Sequence, residues 1–304
     1  MPFFSIIIPT HNRLNLLKRA IDSVFSQTFT DWELIVVDDA SKDGTKEWIK
    51  AQEKAFPERF RAIVNAQNLE RCFSRNLGIE KSNGLYICFL DSDDYHLPHH
   101  LHTLHHAIKA ANQPKALFFT NAYDENEKGE RSLRHCPDLE SVPILDYILK
   151  YTFNPQRVAI HRDVLFDLKF DLQMPGLEDL DLWLRIATRF SIYQVKSLTT
   201  IYANHAEAYS ANPLRHEKEL CYYKRMEKKL ELKGRLSSTT MGLLRSRQYY
   251  GLAVLYAKKQ KPIRLILILM RLIQYPRHLN IERVKAIFHF LRSGESNKES
   301  KKKG

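Results

Sequence analysis

Glu33-Leu34-Ile35-Val36-Val37-Asp38-Asp39-Ala40-Ser41-Lys42-Asp43-Gly44-Thr45 passes from an apolar run through a polar Asp/Ser/Gly segment into a helical pattern. A short β-branched run bounded by turn residues reads as a buried strand. A polar loop leading from a strand directly into a helix is the place where open α/β sheets bind ligands. Outward from this segment the alternation repeats. Ser5 to Ile8, Arg61 to Val64, Tyr86 to Leu90 and Ala116 to Thr120 read as further buried strands, and Leu14 to Ser26, Thr45 to Lys54, Cys72 to Lys81 and Pro98 to Ala111 as amphipathic helices. This is the signature of βαβ units: an α/β fold with a mainly parallel central sheet flanked by helices.

Residues 121 to 214 read differently. An acidic loop is expected at Asp124 to Glu130, followed by strands near Val158 to His161, Ser191 to Val195 and Leu198 to Ala203. Between them Gly176-Leu177-Glu178-Asp179-Leu180-Asp181-Leu182-Trp183-Leu184-Arg185 opens a helix whose first turn is rich in carboxylates, a placement the helix dipole favours on its own. Beyond residue 215 the pattern is helical, over roughly 216–233, 238–260, 262–274 and 280–292, and ends in a polar Lys-rich tail, 294–304, expected to be disordered. The division is thus an α/β domain over 1–214, with halves of about 1–120 and 121–214, a basic helical extension over 215–293, and the tail.

Charge separates along the same line. From Arg215 onward there are 23 Lys and Arg against 7 Glu, a net of +16; the residues before it hold 24 basic and 28 acidic side chains, a net of −4. Four scattered cysteines, without a CxxC pair, suggest neither a disulfide scaffold nor a zinc site. No basic, apolar and small-residue leader is read at the N-terminus. The apolar stretch Ile263 to Ile273 is interrupted by Arg264 and Arg271 and is shorter than the ~18 residues of a membrane span. A cytoplasmic protein is expected.

Phe89-Leu90-Asp91-Ser92-Asp93-Asp94 places three carboxylates at the end of an apolar strand, where repulsion and desolvation are costly without a compensating cation or ligand. Alternation along an extended chain points Asp91 and Asp93 the same way, so both can face one Mg²⁺ or Mn²⁺ that also binds phosphates. An acidic turn capping the helix at Pro98 would use the same residues.

Four stretches in one order carry a resemblance. They are Ser5-Ile6-Ile7-Ile8-Pro9-Thr10-His11-Asn12-Arg13, Glu33 to Ser41, the block from Arg75-Asn76-Leu77-Gly78 to Asp94, and Glu178-Asp179. Together they resemble the family-2 glycosyltransferases of the GT-A fold, over about two-thirds of the chain. The resemblance implies an inverting, metal-dependent, hexosyltransferase-type enzyme that takes a sugar from a nucleotide diphosphate donor, a UDP-sugar being favoured, to an acceptor hydroxyl in cell-surface glycan or lipid-linked oligosaccharide assembly. It implies that Pro9, Thr10, His11, Arg13, Asp38, Asp39, Arg75, Asp91, Ser92, Asp93 and Glu178 bind the nucleotide sugar, and that Asp179 is the catalytic base. The divalent cation would sit on Asp93 and Asp91, with His205 completing its shell. Where the family more often has Tyr, this chain has His11. Chemically, Asp39 suits an imide N–H such as that of uracil, and one carboxylate near the acceptor suffices for an inverting displacement.

The histidine run His96, His99, His100, His102, His105 and His106 is expected on a solvated helix face. Two rival readings remain. A sugar-phosphate nucleotidyltransferase would carry a Gly-rich loop after the first strand, which Pro9 to Arg13 lacks, and a non-catalytic nucleotide-sugar-binding protein would not need both carboxylate motifs. The basic helices are compatible with an anionic membrane surface at the inner face of the membrane, with packing, or with a partner. No nucleic-acid partner is expected, since no recognition motif accompanies the charge.

Overall fold

A computed structural model of the protein describes residues 1–204, 215–231, 236–259, 261–275 and 287. Backbone contacts divide the chain into two compact units, Met1–His205 and Ala206–Gly304.

The first unit is built on one nine-stranded sheet. Strands β1 (Phe4–Thr10), β2 (Trp32–Asp38), β3 (Phe60–Val64) and β4 (Tyr86–Phe89) alternate with helices α1 (Leu14–Phe25), α2 (Thr45–Ala55) and α3 (Glu70–Lys81). These strands pair in parallel, in the order β3-β2-β1-β4. Chain order reverses at β1, and in such sheets ligands bind at that switch, outside the carboxyl ends of the strands. The register places Thr10 opposite Asp38 and Ile7 opposite Phe89, so the loops after β1, β2 and β4 open side by side.

The strands are continuous apolar runs because both faces are covered. In α1, Leu17, Ala20, Ile21 and Val24 form the buried stripe. Gly78 of α3 lies against β1 so closely that a Cβ there would come within 2.5 Å of the Ile7 side chain. Only glycine allows that approach without repacking.

The other half of the sheet is mixed. After β5 (Tyr95–His96) and α4 (His100–Ala110) come β6 (Leu117–Glu125), β7 (Arg131–Leu133), α5 (Ile144–Lys150), β8 (Val158–His161), α6 (Arg162–Asp167), α7 (Glu178–Ala187) and β9 (Ile192–Ala203). β8 runs antiparallel between β4 and β6, whereas β6 and β9 are parallel.

Three expectations change here. Asp124 and Glu125 belong to β6, which forms a hairpin with β7; their charges are met by Arg134 and Arg131 at 2.6 and 3.0 Å, so the acidic segment can pair rather than loop. The two strands expected on either side of Lys196 are one, β9, with bulges against Thr120 and Asn121 of β6. The histidines do not share a solvated face. His96 and His100 are buried and their rings stack at 3.7 Å, while His99, His102 and His106 are exposed. Burial pushes the His96 pKa down to about 4 and that of His100 well below its usual value, helped by the neighbouring histidines.

In the second unit, α8 (Arg215–Glu231), α9 (Ser238–Lys258) and α10 (Pro262–Ile273) are described. Ser237 caps α9 by accepting from the Thr240 amide at 3.0 Å. Leu265, Ile268 and Leu272 of α10 form a core with Tyr250, Leu252, Ala253 and Leu255 of α9. No described helix is long and apolar enough to cross a membrane. The helix expected over 280–292, apart from residue 287, and the tail at 294–304 lie outside the described residues.

Candidate active site

The loops after β1 and β2 are tied by backbone and side chain together. The Asp39 amide donates to the Thr10 carbonyl at 2.8 Å, the Asn12 amide to Ser41 Oγ at 2.8 Å and the Lys42 amide to Asn12 Oδ1 at 2.7 Å. His11 Nδ1 lies 2.7 Å from the Asp39 carbonyl and its Nε2 lies 2.9 Å from Asn12 Nδ2. A carbonyl can only accept and an amide nitrogen can only donate, so this pair of contacts selects the neutral ring protonated at Nδ1. The ring orientation is thereby fixed at both ends.

Within this frame Asp38 is fully buried, and burial, the dominant cause, raises its pKa despite hydrogen bonds from Ser41. Its Oδ2 and the Thr10 hydroxyl are buried without a hydrogen-bond partner among the described residues, a condition that costs free energy unless a ligand relieves it. Asp39 is held by Asn65 Nδ2 at 2.7 Å and the Leu69 amide at 2.9 Å, both on Oδ1.

At the end of β4, Asp91, Asp93 and Asp94 bring carboxylate oxygens within 4.8 Å of one another. Burial first, then repulsion from Asp93 and Asp91, pushes the Asp94 carboxyl well above the usual carboxylate range. Arg13 Nη1 reaches Asp93 Oδ2 at 2.5 Å, and Arg19 Nη2 donates to the Asp93 carbonyl at 2.6 Å. Hard oxygen donors packed this closely fit a divalent Mg²⁺ or Mn²⁺. The fit is strongest for Asp91 and Asp93, because both oxygens of Asp94 already accept, Oδ2 from Gln156 Nε2 and Oδ1, at 2.9 Å, from the Ala203 amide.

Arg75 joins this cluster to the start of α7. It is only 1% exposed; Nη2 meets Asp91 at 2.6 Å and Nη1 meets Glu178 at 2.8 Å. Burial opposes its charge, but the two carboxylates outweigh burial and raise its pKa. Glu178 is buried as well, with Arg71 3.8 Å away. Its neighbour Asp179 is half-buried, and Oδ1 accepts from the Leu180 amide at 2.7 Å. Behind them Trp183 Nε1 donates to the Phe153 carbonyl at 2.8 Å and Asp181 pairs with Arg185 at 2.7 Å, which anchors α7.

Asn12, Ala40, Glu70 and Leu177 are non-glycine residues with φ of 52°, 63°, 70° and 59°. They stand in the loops after β1 and β2 and at the starts of α3 and α7, each beside a residue named above. Left-handed backbone of this kind costs about 1–3 kcal/mol and gathers where geometry is held for function.

The structure thus brings together Thr10, His11, Asp38 and Asp39 in one group, and Arg13, Arg75, Asp91, Asp93 and Glu178 in another that reaches Asp179 through the chain. Pro9 and Ser92 are buried in the same strand ends; His205 lies outside the described residues. Asn65, Arg19 and Gln156 hold the site together and carried no motif. Asn65 and Gln156 are polar side chains close to strand ends and Arg19 is a cation in the middle of α1, features too common to single out.

A sheet that changes direction at β1, with acidic loops at its carboxyl edge and a carboxylate-rich helix start tied to them through Arg75, has the architecture of the GT-A fold. Residues 5–162 match the family model for glycosyl transferase family 2, and the chain belongs to that family. Over 268 residues it is 29% identical to the GalNAc(5)-diNAcBac-PP-undecaprenol beta-1,3-glucosyltransferase of Campylobacter jejuni, covering 86% of this chain and 84% of that one. Three other curated glycosyltransferases are matched over 36%, 32% and 38% of their own length, so for them the chain spans about a third of the relative. Among solved structures, S. aureus TarS 1-349 in complex with UDP-GlcNAc superposes with a TM-score of 0.65 at 19% identity, covering 90% of this chain and 81% of that one. The mannosyltransferase PcManGT from Pyrobaculum calidifontis, in complex with GDP-Man and Mn²⁺, gives 0.61 at 16% identity, covering 97% and 80%. At these identities the structures establish the fold alone.

Proposed function

We propose that this glycosyltransferase moves a hexose, with inversion, from a UDP-sugar to a hydroxyl of a glycan or lipid-linked acceptor in cell-surface glycan assembly, working at the inner face of the membrane. The observation that carries the proposal is the buried Arg75, which ties Asp91 at the end of β4 to Glu178 beside Asp179. It fixes the group that would meet the donor diphosphate relative to the group that would meet the acceptor. Residues 1–120 then hold the nucleotide, and 121–214 face the acceptor.

Pro9, Thr10, His11, Asp38 and Asp39 receive the base. Asp39 Oδ2 has no hydrogen-bond partner among the described residues, because both contacts fall on Oδ1, and it accepts an imide N–H. The fixed His11 ring stacks on the base. Asp91 and Asp93 would hold a Mn²⁺ or Mg²⁺, with Ser92 between them, and the ion supplies neutralisation of the diphosphate charge. Arg13, already at Asp93, is placed to share that charge. Asp179 takes the acceptor proton as the acceptor oxygen bonds to the anomeric carbon and the bond from that carbon to the diphosphate oxygen breaks. The nucleoside diphosphate leaves with the electron pair, and a single displacement inverts the centre. Glu178, engaged by Arg75 and Arg71, positions the helix start.

The relative that acts on an undecaprenol-linked glycan supports a lipid-linked acceptor, and the UDP-GlcNAc complex of TarS supports a UDP donor. Family membership weighs against a nucleotidyltransferase and against a purely binding role. The test is calorimetric titration of UDP, GDP and dTDP with and without Mn²⁺ on the wild type and on Asp93→Ala. UDP should bind tightest and need the metal, and the variant should stay folded but lose the metal-dependent part. Undiminished metal-dependent affinity in the variant removes Asp93 from the site.

A further inference from the structure

Helix α10 carries two apolar stripes where a helix packed on one side needs only one. Leu265, Ile268 and Leu272 are buried on α9. Ile263, Ile266, Leu267, Met270 and Ile273 follow at i, i+3, i+4, i+7 and i+10 on the other side, each between 56% and 75% exposed. Of the eleven large hydrophobic side chains exposed among the described residues, these five fall within one helix. Single exposed apolar residues are ordinary on a protein surface, but a contiguous stripe marks a contact.

Charge selects what the stripe contacts. Lys261, Arg264 and Arg271 are exposed along the same helix and at its start. The guanidinium groups of Arg264 and Arg271 lie over the rings of Tyr256 and Tyr249, at 5.8 and 6.0 Å, which holds both cations on one flank of the stripe. From Leu232 to Ile281 the chain contains no Asp or Glu. Two copies of this chain meeting through this face would set like charges against one another, whereas an anionic surface would not. The twelve residues of α10 extend about 18 Å, against the ~30 Å of a bilayer core, so the helix can lie in the interface but not cross it.

We propose that α10 is an in-plane membrane anchor: its exposed stripe enters the boundary between headgroups and acyl chains of an anionic bilayer, and Lys261, Arg264 and Arg271 meet the lipid phosphates. This deepens the proposed function and rests on it for why an inner membrane face is visited. The contact is measured without donor, acceptor or turnover, so either reading can fail while the other stands.

The test is sedimentation of the full chain with phosphatidylcholine vesicles and with vesicles also containing phosphatidylglycerol, at low and high salt. The wild type should bind the anionic vesicles, less so at high salt. Ile266→Ser with Leu267→Ser, and separately Arg264→Glu with Arg271→Glu, should each lower that binding by about tenfold or more. Met270→Trp supplies a second readout that leaves the stripe apolar: its fluorescence should shift to the blue and be quenched by brominated lipid on anionic vesicles. Equal binding to neutral and anionic vesicles overturns the proposal, as does no binding at low salt or an unquenched Trp at 270. A serine pair that binds vesicles normally but turns a sedimenting dimer into a monomer also overturns it, in favour of a self-association face.

Discussion

In the sheet unit a guanidinium, Arg75, is 1% exposed between two carboxylates; in the helical unit an isoleucine, Ile263, is 75% exposed beside arginines. Each inverts the ordinary preference for charge outside and apolar surface inside, and the two inversions have different physical consequences. A buried charge is held by geometry, because moving either partner leaves the other desolvated and unpaired. An exposed apolar stripe packs on nothing among the described residues of its unit and gains only when another phase covers it. The first arrangement suits chemistry that needs fixed distances, and the second suits a contact that is made and released. Substitutions at the first should therefore damage the enzyme in isolation, and at the second only in the presence of its surface.

The largest effect is expected at the group that touches the acceptor. Asp179→Asn should lower turnover by about a hundredfold to ten-thousandfold, the range for loss of a general base, with donor affinity measured by calorimetry unchanged. Near-normal turnover would move the base elsewhere. Arg75→Met should next cost about 3–5 kcal/mol of stability in denaturant unfolding, since Glu178 and Asp91 are left facing one another. The double variant Arg75→Met with Glu178→Leu should lose less than the two single losses added together, because the unpaired charge is gone. Simple additivity would mean that the pair is not coupled.

The parallel half of the sheet was legible because β1, β2 and β4 are apolar runs ending in polar loops, a pattern that needs no partner to be read. The mixed half was legible only in part: β8 was read at Val158 to His161 and the first part of β6 at Ala116 to Thr120, but the rest of β6 and the join within β9 carry Asp124, Glu125 and Lys196 in strand positions and are fixed by pairing with one another. Of the site, Asp91 and Asp93 stood out as charges at an apolar strand end. The resemblance alone selects Arg75, yet a signal existed. Arg75 falls three residues after Cys72 and four before Ile79, on the buried face of α3, whereas Arg71 does not. The histidines were misread because only the packing of β9 and of the Gln156 segment over α4 tells His96 and His100 from the rest. His100 Nδ1 meets Thr199 Oγ1 at 2.7 Å and His96 Nε2 meets the Gln156 carbonyl at 2.8 Å.

That buried pair gives a smaller, pH-dependent effect. Its pKa values are lowered by burial on folding, so the unfolded chain binds protons that the native state does not. The pair's contribution to stability is complete above the unfolded value near 6.5 and is lost as pH falls toward the lowered ones, that of His96 being about 4. Each histidine adds about 1.4 kcal/mol per pH unit within its window. Asp94, raised in the folded state, acts with the opposite sign, so the histidine part is the difference between wild type and His100→Asn. The stability of the variant should fall less steeply than that of the wild type between pH 6.5 and pH 5. Equal slopes would mean that His100 binds protons equally in the native and unfolded states, so that folding does not lower its pKa.

The smallest effect is the one that sharpens the contrast most. Leu272 and Ile266 lie on opposite sides of α10, the first buried on α9 and the second exposed. Leu272→Ala should cost about 2–5 kcal/mol of helical-unit stability, the ordinary price of a core cavity. Ile266→Ser removes as much apolar surface but leaves no cavity and unpairs no buried group, so denaturant unfolding in buffer should change by no more than about 0.5 kcal/mol. The stabilisation added by anionic vesicles should rank the two the other way. A bilayer that binds only the native state stabilises it by an amount that grows with the logarithm of its affinity, and that linkage should survive Leu272→Ala wherever the unit stays folded but be weakened in Ile266→Ser. If vesicles stabilise the wild type and Ile266→Ser alike, the exposed side of α10 does not meet lipid and the contrast between the two units has another cause.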